Sequence, residues 1–301
     1  MSLPPSNKIL LMGLYQSGKS TVKSVVFEGK NPQDFLKSAY KATINYHRDI
    51  KQFVGTEFQV FDLGGQENFL KDFTGEKAPF IFSDVKSLVW VIDVNNVENI
   101  SLSNFYFNKA MQKILEYSPD ALIYCILHKA DLILPHMVDD VLTSIKEYFD
   151  VPEGIKIEYH ATSIFDQSIF KVFGEIMKTL LATTHTASTV SKLLLNFIGS
   201  TKEISGVTIL TQEGLPVFEE GEMVDKIIIP ANLWLSTSER LKEEFSTSQQ
   251  LKSTLETDDF VFVFQQLKEK LLLTGVARKV APLQFVLLKM EQLTEQVNSL
   301  L

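Results

Sequence analysis

One stretch of the 301-residue chain has the residue types and spacing of phosphate chemistry: Gly13-Leu14-Tyr15-Gln16-Ser17-Gly18-Lys19-Ser20 fits the pattern G-x-x-x-x-G-K-[ST]. It falls between a strand-like apolar run and a helical pattern, the setting the motif requires; elsewhere it would be a glycine turn with a capping serine. Such a loop aims backbone N–H groups at phosphate oxygens, and the helix beyond Gly18 turns its positive dipole end toward them. Lys19 would supply a point charge to the β- and γ-phosphates, and the Ser20 hydroxyl would ligate Mg²⁺. Gly13, Tyr15, Gln16, Ser17, Gly18, Lys19, Ser20 and Thr21 are the candidate phosphate-binding residues.

Three further elements follow in order. Asp62-Leu63-Gly64-Gly65-Gln66 closes an alternating run (Glu57–Phe61). An acid there can hold the Mg²⁺ shell, the Gly65 region can offer an N–H to a γ-phosphate, and Gln66 can orient an attacking water. Alone, Asp-x-x-Gly is a common turn; after a phosphate loop the chemical reading prevails. His128-Lys129-Ala130-Asp131 directly follows the apolar run Ala121–Leu127. A carboxylate at Asp131 can accept two hydrogen bonds from the N1–H and exocyclic amine of guanine, a pair adenine does not offer, which selects GTP/GDP over ATP. The Lys129 stem can pack over the base. Thr162-Ser163-Ile164 ends a weaker strand candidate and could place a backbone N–H, from Ser163 or Ile164, on the guanine carbonyl.

The elements that must position these residues alternate between strand and helix. Lys8–Met12, Glu57–Phe61, Ser87–Asp93, Ala121–Leu127 and Ile155–Tyr159 read as strands, and helical patterns cover Lys19 to about Phe27, Leu102–Tyr117, Val138–Phe149 and Ile169–Leu181. That alternation predicts an α/β fold, a doubly wound, mostly parallel sheet. Composition then shifts through the small polar stretch Ala182–Ser188. Beyond it come a helix closed by Gly199, a hairpin (Gly206–Thr211 with Leu215–Phe218) and a helix at about Pro230–Phe245. Three strands (Leu251–Leu255, Phe260–Gln266, Leu271–Gly275) and a final helix striped from Leu283 to Leu300 complete a smaller α+β domain. The expected division is residues 1–183, a linker at 184–188, and 189–301.

Taken together these stretches resemble the Rag/Gtr GTPases, which couple nutrient supply to growth control in eukaryotes and have relatives in archaea. The resemblance is carried by Leu10-Leu11-Met12-Gly13 into the phosphate loop, Gly64-Gly65-Gln66-Glu67-Asn68-Phe69, and the His128-Lys129-x-Asp131 variant of the usual Asn-Lys-x-Asp. The run from Thr162 to Phe170 adds to it. The resemblance implies a P-loop GTPase domain followed by a roadblock-type (longin-like) dimerisation domain. It implies GTP/GDP and Mg²⁺ as cofactors, and Gln66, Lys19 and Thr43 as catalytic residues. Ala42-Thr43-Ile44 matches the first switch, so Thr43 would join Ser20 and Asp62 around Mg²⁺. It also implies pairing with a second Rag/Gtr-like GTPase, roadblock-domain scaffolds and GTPase-activating proteins as further partners, and recruitment of a cytoplasmic protein to a lysosome- or vacuole-type membrane by those partners. Features of both paralogue classes are mixed here, which keeps a homodimer open, as in an archaeal or undifferentiated member.

Composition narrows the function classes. Asp+Glu 37 against Lys+Arg 29 gives a net charge of −8, which disfavours a nucleic-acid partner. The single cysteine, Cys125, excludes an internal disulfide framework and suits a reducing compartment. Position 2 is serine, residues 1–7 carry no basic stretch and the chain ends Asn298-Ser299-Leu300-Leu301, so no leader or lipid anchor is expected. The five histidines (47, 128, 136, 160 and 185) show no metal-ligand spacing.

Two features depart from an efficient GTPase. The only arginine in the first part, Arg48, follows Thr43 by five positions and is expected on an exposed strand face, not as a catalytic finger. Intrinsic turnover is therefore expected to be slow, of order 10⁻⁴ to 10⁻³ s⁻¹. Tyr15 stands beside the γ-phosphate position, where its phenol either crowds Gln66 and blocks an incoming finger or points to solvent. A scaffold that binds nucleotide without turning it over is the competing reading, and an ATPase a distant third.

Overall fold

The computed structural model describes residues 7–36, 43–149, 155–245 and 252–301. Met1–Ser6, including Ser2, and Ala42 and Leu251 lie outside them.

The chain folds into two compact units. The first holds residues 1–25, 30–52 and 56–169; the second holds 26–29, 53–55 and 170–301. In chain order the first sheet and its helices are β1 (Asn7–Met12), α1 (Lys19–Glu28), the short α2 (Pro32–Phe35), β2 (Tyr46–Phe53), β3 (Thr56–Leu63), α3 (Glu67–Thr74), α4 (Ala78–Phe82), β4 (Val85–Asp93), α5 (Ile100–Tyr117), β5 (Leu122–His128), α6 (Val138–Tyr148) and β6 (Ile157–Thr162). The sheet order is β2-β3-β1-β4-β5-β6, with the pairs from β3 through β6 parallel. Central strands covered on both faces must be apolar throughout, and β1 is buried at every position. Trp90 in β4 is fully buried, with its indole N–H on Ser103 Oγ at 3.0 Å and its ring edge-on to Phe107. Cys125 is likewise fully buried, and burial raises its thiol pKa far above the ordinary value.

The remaining elements are α7 (Ser168–Leu181), α8 (His185–Ser200), β7 (Ile204–Thr211), β8 (Pro216–Gly221), α9 (Ile228–Phe245), β9 (Lys252–Glu256), β10 (Phe260–Gln266), β11 (Leu271–Arg278) and α10 (Leu283–Leu300). The second sheet runs β8-β7-β11-β10-β9 and every pair in it is antiparallel. Val286, Met290, Leu293 and Val297 of α10 form a buried stripe at helical spacing. Trp234 stacks on Phe264 with ring centroids 5.7 Å apart. The fold is thus the expected mostly parallel α/β sheet with a smaller antiparallel α+β region after it.

Several local expectations shift. Residues 185–188, read as linker, form the first turn of α8, because the Thr184 hydroxyl accepts from Ala187 N–H and caps it. Gly199 does not close that helix, which ends at Ser200. β6 lies two to three residues beyond the run Ile155–Tyr159, and α9 starts two residues before Pro230. The short helices α2, α3 and α4 are additions to the expected elements, and Arg48 falls on the exposed face of a strand, β2, as expected.

Candidate functional site

Parallel strands place their carboxyl ends on one edge of the sheet, and the expected site residues fall there. Leu11 pairs with Asp62 across β1 and β3, Asp93 with His128 across β4 and β5, and His128 with Thr162 across β5 and β6. The turn from β1 into α1 faces this edge. Tyr15, Gln16, Gly18, Lys19, Ser20, Thr21, Thr43 and Gly65 line one pocket over it.

At the phosphate-loop end the groups converge. Lys19 is 5% exposed, with its ammonium on Leu14 O at 2.7 Å and Ser17 Oγ at 3.3 Å. Burial lowers its pKa to about 8, and the Asp62 carboxylate partly opposes that fall. Ser20 Oγ lies 2.7 Å from Thr43 Oγ1, which in turn donates to Asp62 Oδ2 at 3.3 Å. The other oxygen, Asp62 Oδ1, is buried without a hydrogen-bond partner among the described residues, in a residue only 1% exposed. Two hydroxyls and a carboxylate with an unsatisfied oxygen are a hard-oxygen donor set, the chemistry that suits Mg²⁺. Gly65 closes against the loop: Tyr15 N–H donates to Gly65 O at 2.8 Å, and a Cβ on Gly65 would lie 2.4 Å from Leu14 C. Only glycine permits that approach.

Gln66 is brought near by sequence but not into the pocket lining. It is the exposed first cap of α3 and makes no side-chain cap bond. Tyr15 is 40% exposed and lines the pocket beside Gly65. Among the described residues no arginine lines this pocket; Arg48 is exposed on β2, its guanidinium 5.8 Å from the Phe61 ring centroid.

The base-reading candidates are built differently. His128 is buried at the end of β5, with Nδ1 3.2 Å from Thr162 Oγ1. Its ring packs on the loop so closely that a Cβ on Gly18, already at φ +99, would lie 2.5 Å from His128 Cδ2. Burial, with help from the neighbouring Lys129 charge, lowers the imidazole pKa to about 4. Lys129 adopts left-handed backbone geometry (φ 65), which starts the 3₁₀ turn Ala130–Leu132 that carries Asp131 on the surface. The Lys129 ammonium reaches Gln16 O at 2.9 Å and Asp93 Oδ2 at 2.6 Å. Ser163 is buried, its N–H on Ser168 Oγ at 2.9 Å, and Ile164 is 8% exposed.

Asp93 is a candidate site residue, through its bond to Lys129, that sequence reasoning missed. Its signal was available: it ends an apolar strand, as Asp62 follows one. Asn45 was missed too; its carbonyl accepts from Gly64 N–H at 2.8 Å and ties the segment after Thr43 to the turn after Asp62.

Comparison with known proteins places the chain in a family. A model of the family described as "Gtr1/RagA G protein conserved region" matches residues 8–212. The GTP-binding protein gtr1 of Schizosaccharomyces pombe is 31% identical over 181 residues, covering 60% of this chain and 58% of that protein. The GTP-binding protein gtr2 of the same yeast is 33% identical over 183 residues, covering 58% and 55%. The chain therefore spans less than two thirds of the length of these relatives. A solved Arl6 BBS3 small GTPase from Trypanosoma brucei aligns with 60% of this chain and 99% of its own, at 16% identity and a TM-score of 0.42.

Proposed function

Because the chain belongs to the Gtr1/RagA family of G proteins, matched over residues 8–212, we propose that it is a guanine-nucleotide switch that hydrolyses GTP to GDP. The observation that carries this reading is the convergence of Ser20, Thr43 and Asp62 beside buried Lys19, with Asp62 Oδ1 lacking a partner.

In this reading Lys19 exchanges Leu14 O and Ser17 Oγ for phosphate oxygens, so the loop opens its own cation to the ligand. The amides from Gly13 to Thr21 hold the remaining phosphate oxygens. Ser20 and Thr43 would hold Mg²⁺ with Asp62 behind them, and the ion would neutralise charge developing on the transferred phosphoryl group. Gly65 N–H meets the γ-phosphate and Gln66 swings from its exposed cap position to orient water. Asp131 accepts from guanine, Ile164 N–H meets the purine carbonyl while Ser163 N–H stays on Ser168 Oγ, and His128, held neutral by burial, walls the loop from the base side. With no arginine among the described residues that line the pocket, unassisted turnover is slow, about 10⁻⁴ to 10⁻³ s⁻¹, and an activating protein supplies the missing charge.

Thr43 and Gly65 both touch the phosphate pocket, so loss of the γ-phosphate would release two segments and change which effectors bind. Residues 1–183 form the nucleotide domain and 189–301 a roadblock-type platform that pairs with a like domain, from a second family member or a second copy. The protein is cytoplasmic and reaches a membrane only through partners, in nutrient and growth signalling.

A scaffold that binds nucleotide without hydrolysis is favoured by two observations: Tyr15 lines the pocket where water must enter, and Gln66 stands outside it. Single-turnover release of phosphate from GTP, with Mg²⁺ and with a chelator, separates the readings. Mg²⁺-dependent release within the hour supports the switch; bound GTP without release supports the scaffold.

A further inference from the structure

Toward the opposite, amino-terminal end of the parallel strands lies a cavity of about 630 Å³, lined by none of the nucleotide-site residues. Its open aromatic face is the half-exposed Phe80 of α4, which packs edge-on against the buried Phe61 of β3, ring centroids 6.2 Å apart. Its charges are cationic. Lys8 sits in the floor, 7% exposed, donating to Phe80 O at 2.8 Å and Ser83 O at 3.2 Å, with its ammonium 4.6 Å from the Phe61 ring centroid. Arg48 and Lys86 are exposed on the rim. The one acid among the described lining residues is Asp84. Three cations therefore face one carboxylate, in a chain whose net charge is −8.

We propose that this cavity docks an acidic segment of a partner protein, with an apolar side chain against the half-exposed Phe80 ring and flanking carboxylates on Arg48 and Lys86. The chemistry selects that occupant. Carboxylates on a peptide can be spaced to meet two rim cations, whereas a dianionic phosphate headgroup would sit beside Asp84 with nothing to fill the aromatic wall.

The test is a selection of random twelve-residue peptides displayed on phage against the full chain loaded with GDP, with binding of the enriched peptides then measured by fluorescence anisotropy. The expected result is enrichment of an apolar residue flanked by Asp or Glu. The Arg48→Glu/Lys86→Glu chain should bind those peptides at least about tenfold more weakly, and raising salt should weaken the native interaction. Both substituted residues are exposed, and unchanged GDP binding by the variant separates this proposal from the nucleotide-site reading. Enrichment without acidic residues, equal binding by the double variant, or preferential binding to phosphatidylserine vesicles would overturn it.

Discussion

The two ends of the proposed nucleotide cleft are built on opposite principles. The phosphate loop is a local device: Leu14, Ser17, Lys19 and Ser20 lie within seven residues, and the loop satisfies its own lysine, while Thr43, Asp62 and Gly65 are carried to it by the fold. The base end is a long-range device. Its carboxylate, Asp131, stands exposed on a 3₁₀ turn, held by a lysine whose partners are 36 and 113 residues away. A local device stores its geometry in spacing; a long-range one stores it in the sheet register that brings Asp93, His128 and Thr162 into line.

The largest expected effect strikes the phosphate end alone. Lys19→Ala removes a buried cation that would meet the β-phosphate of either diphosphate, so affinity for GDP and for ADP should fall together, each at least about a hundredfold. Titration with fluorescent nucleotides reads it; a loss confined to GDP would erase the distinction between the ends.

Next comes His128, which makes the base end sensitive to pH. Its folded pKa of about 4 lies below the ordinary value of 6.5, so the unfolded chain binds the proton more readily. The neutral ring contributes stability above pH 6.5 that is lost as pH falls toward 4, about 2 kcal/mol at pH 5. Thermal melting at pH 7 and pH 5 should show a drop of about 4–8 °C from this residue. His128→Asn should remove that part of the pH dependence; equal slopes in both proteins would refute the assignment.

Asp93 joins the two ends. Asp93→Asn weakens the ion pair that holds Lys129 against Gln16 O, and GDP release followed by stopped flow should speed about tenfold while base preference stays intact. An unchanged release rate would mean that the loop holds itself. The smallest effect is expected at Tyr15. Tyr15→Gly should raise activator-stimulated hydrolysis a few-fold, of order 1 kcal/mol or less of barrier, and identical single-turnover rates would place the phenol outside the reaction.

What was legible in the sequence follows the same division. The central strands declared themselves because burial on both faces demands uninterrupted apolar runs, as in Ile9–Met12 and Leu88–Ile92. The bounds of strand β2, expected only as the exposed face that carries Arg48, did not, because Tyr46–Phe53 is mostly polar, with exposed positions at His47, Arg48 and Ile50 breaking any alternation. Helix α4 spans five residues, too few for a period to show. The start of α8 looked like a linker because Thr, Ala and Ser suit both loops and helix caps. In the site, the order of the four motifs was readable, and so were their places at strand ends. The Lys129 ammonium bridging Gln16 O and Asp93 was not, because only the fold sets which distant groups a lysine reaches.

The most direct test is calorimetric titration of GDP and ADP into the native chain and into Asp131→Ala. The account predicts that the native protein prefers GDP by at least about a thousandfold, and that the variant loses at least about tenfold of GDP affinity while binding ADP as before. A variant that keeps the full preference for guanine would contradict it.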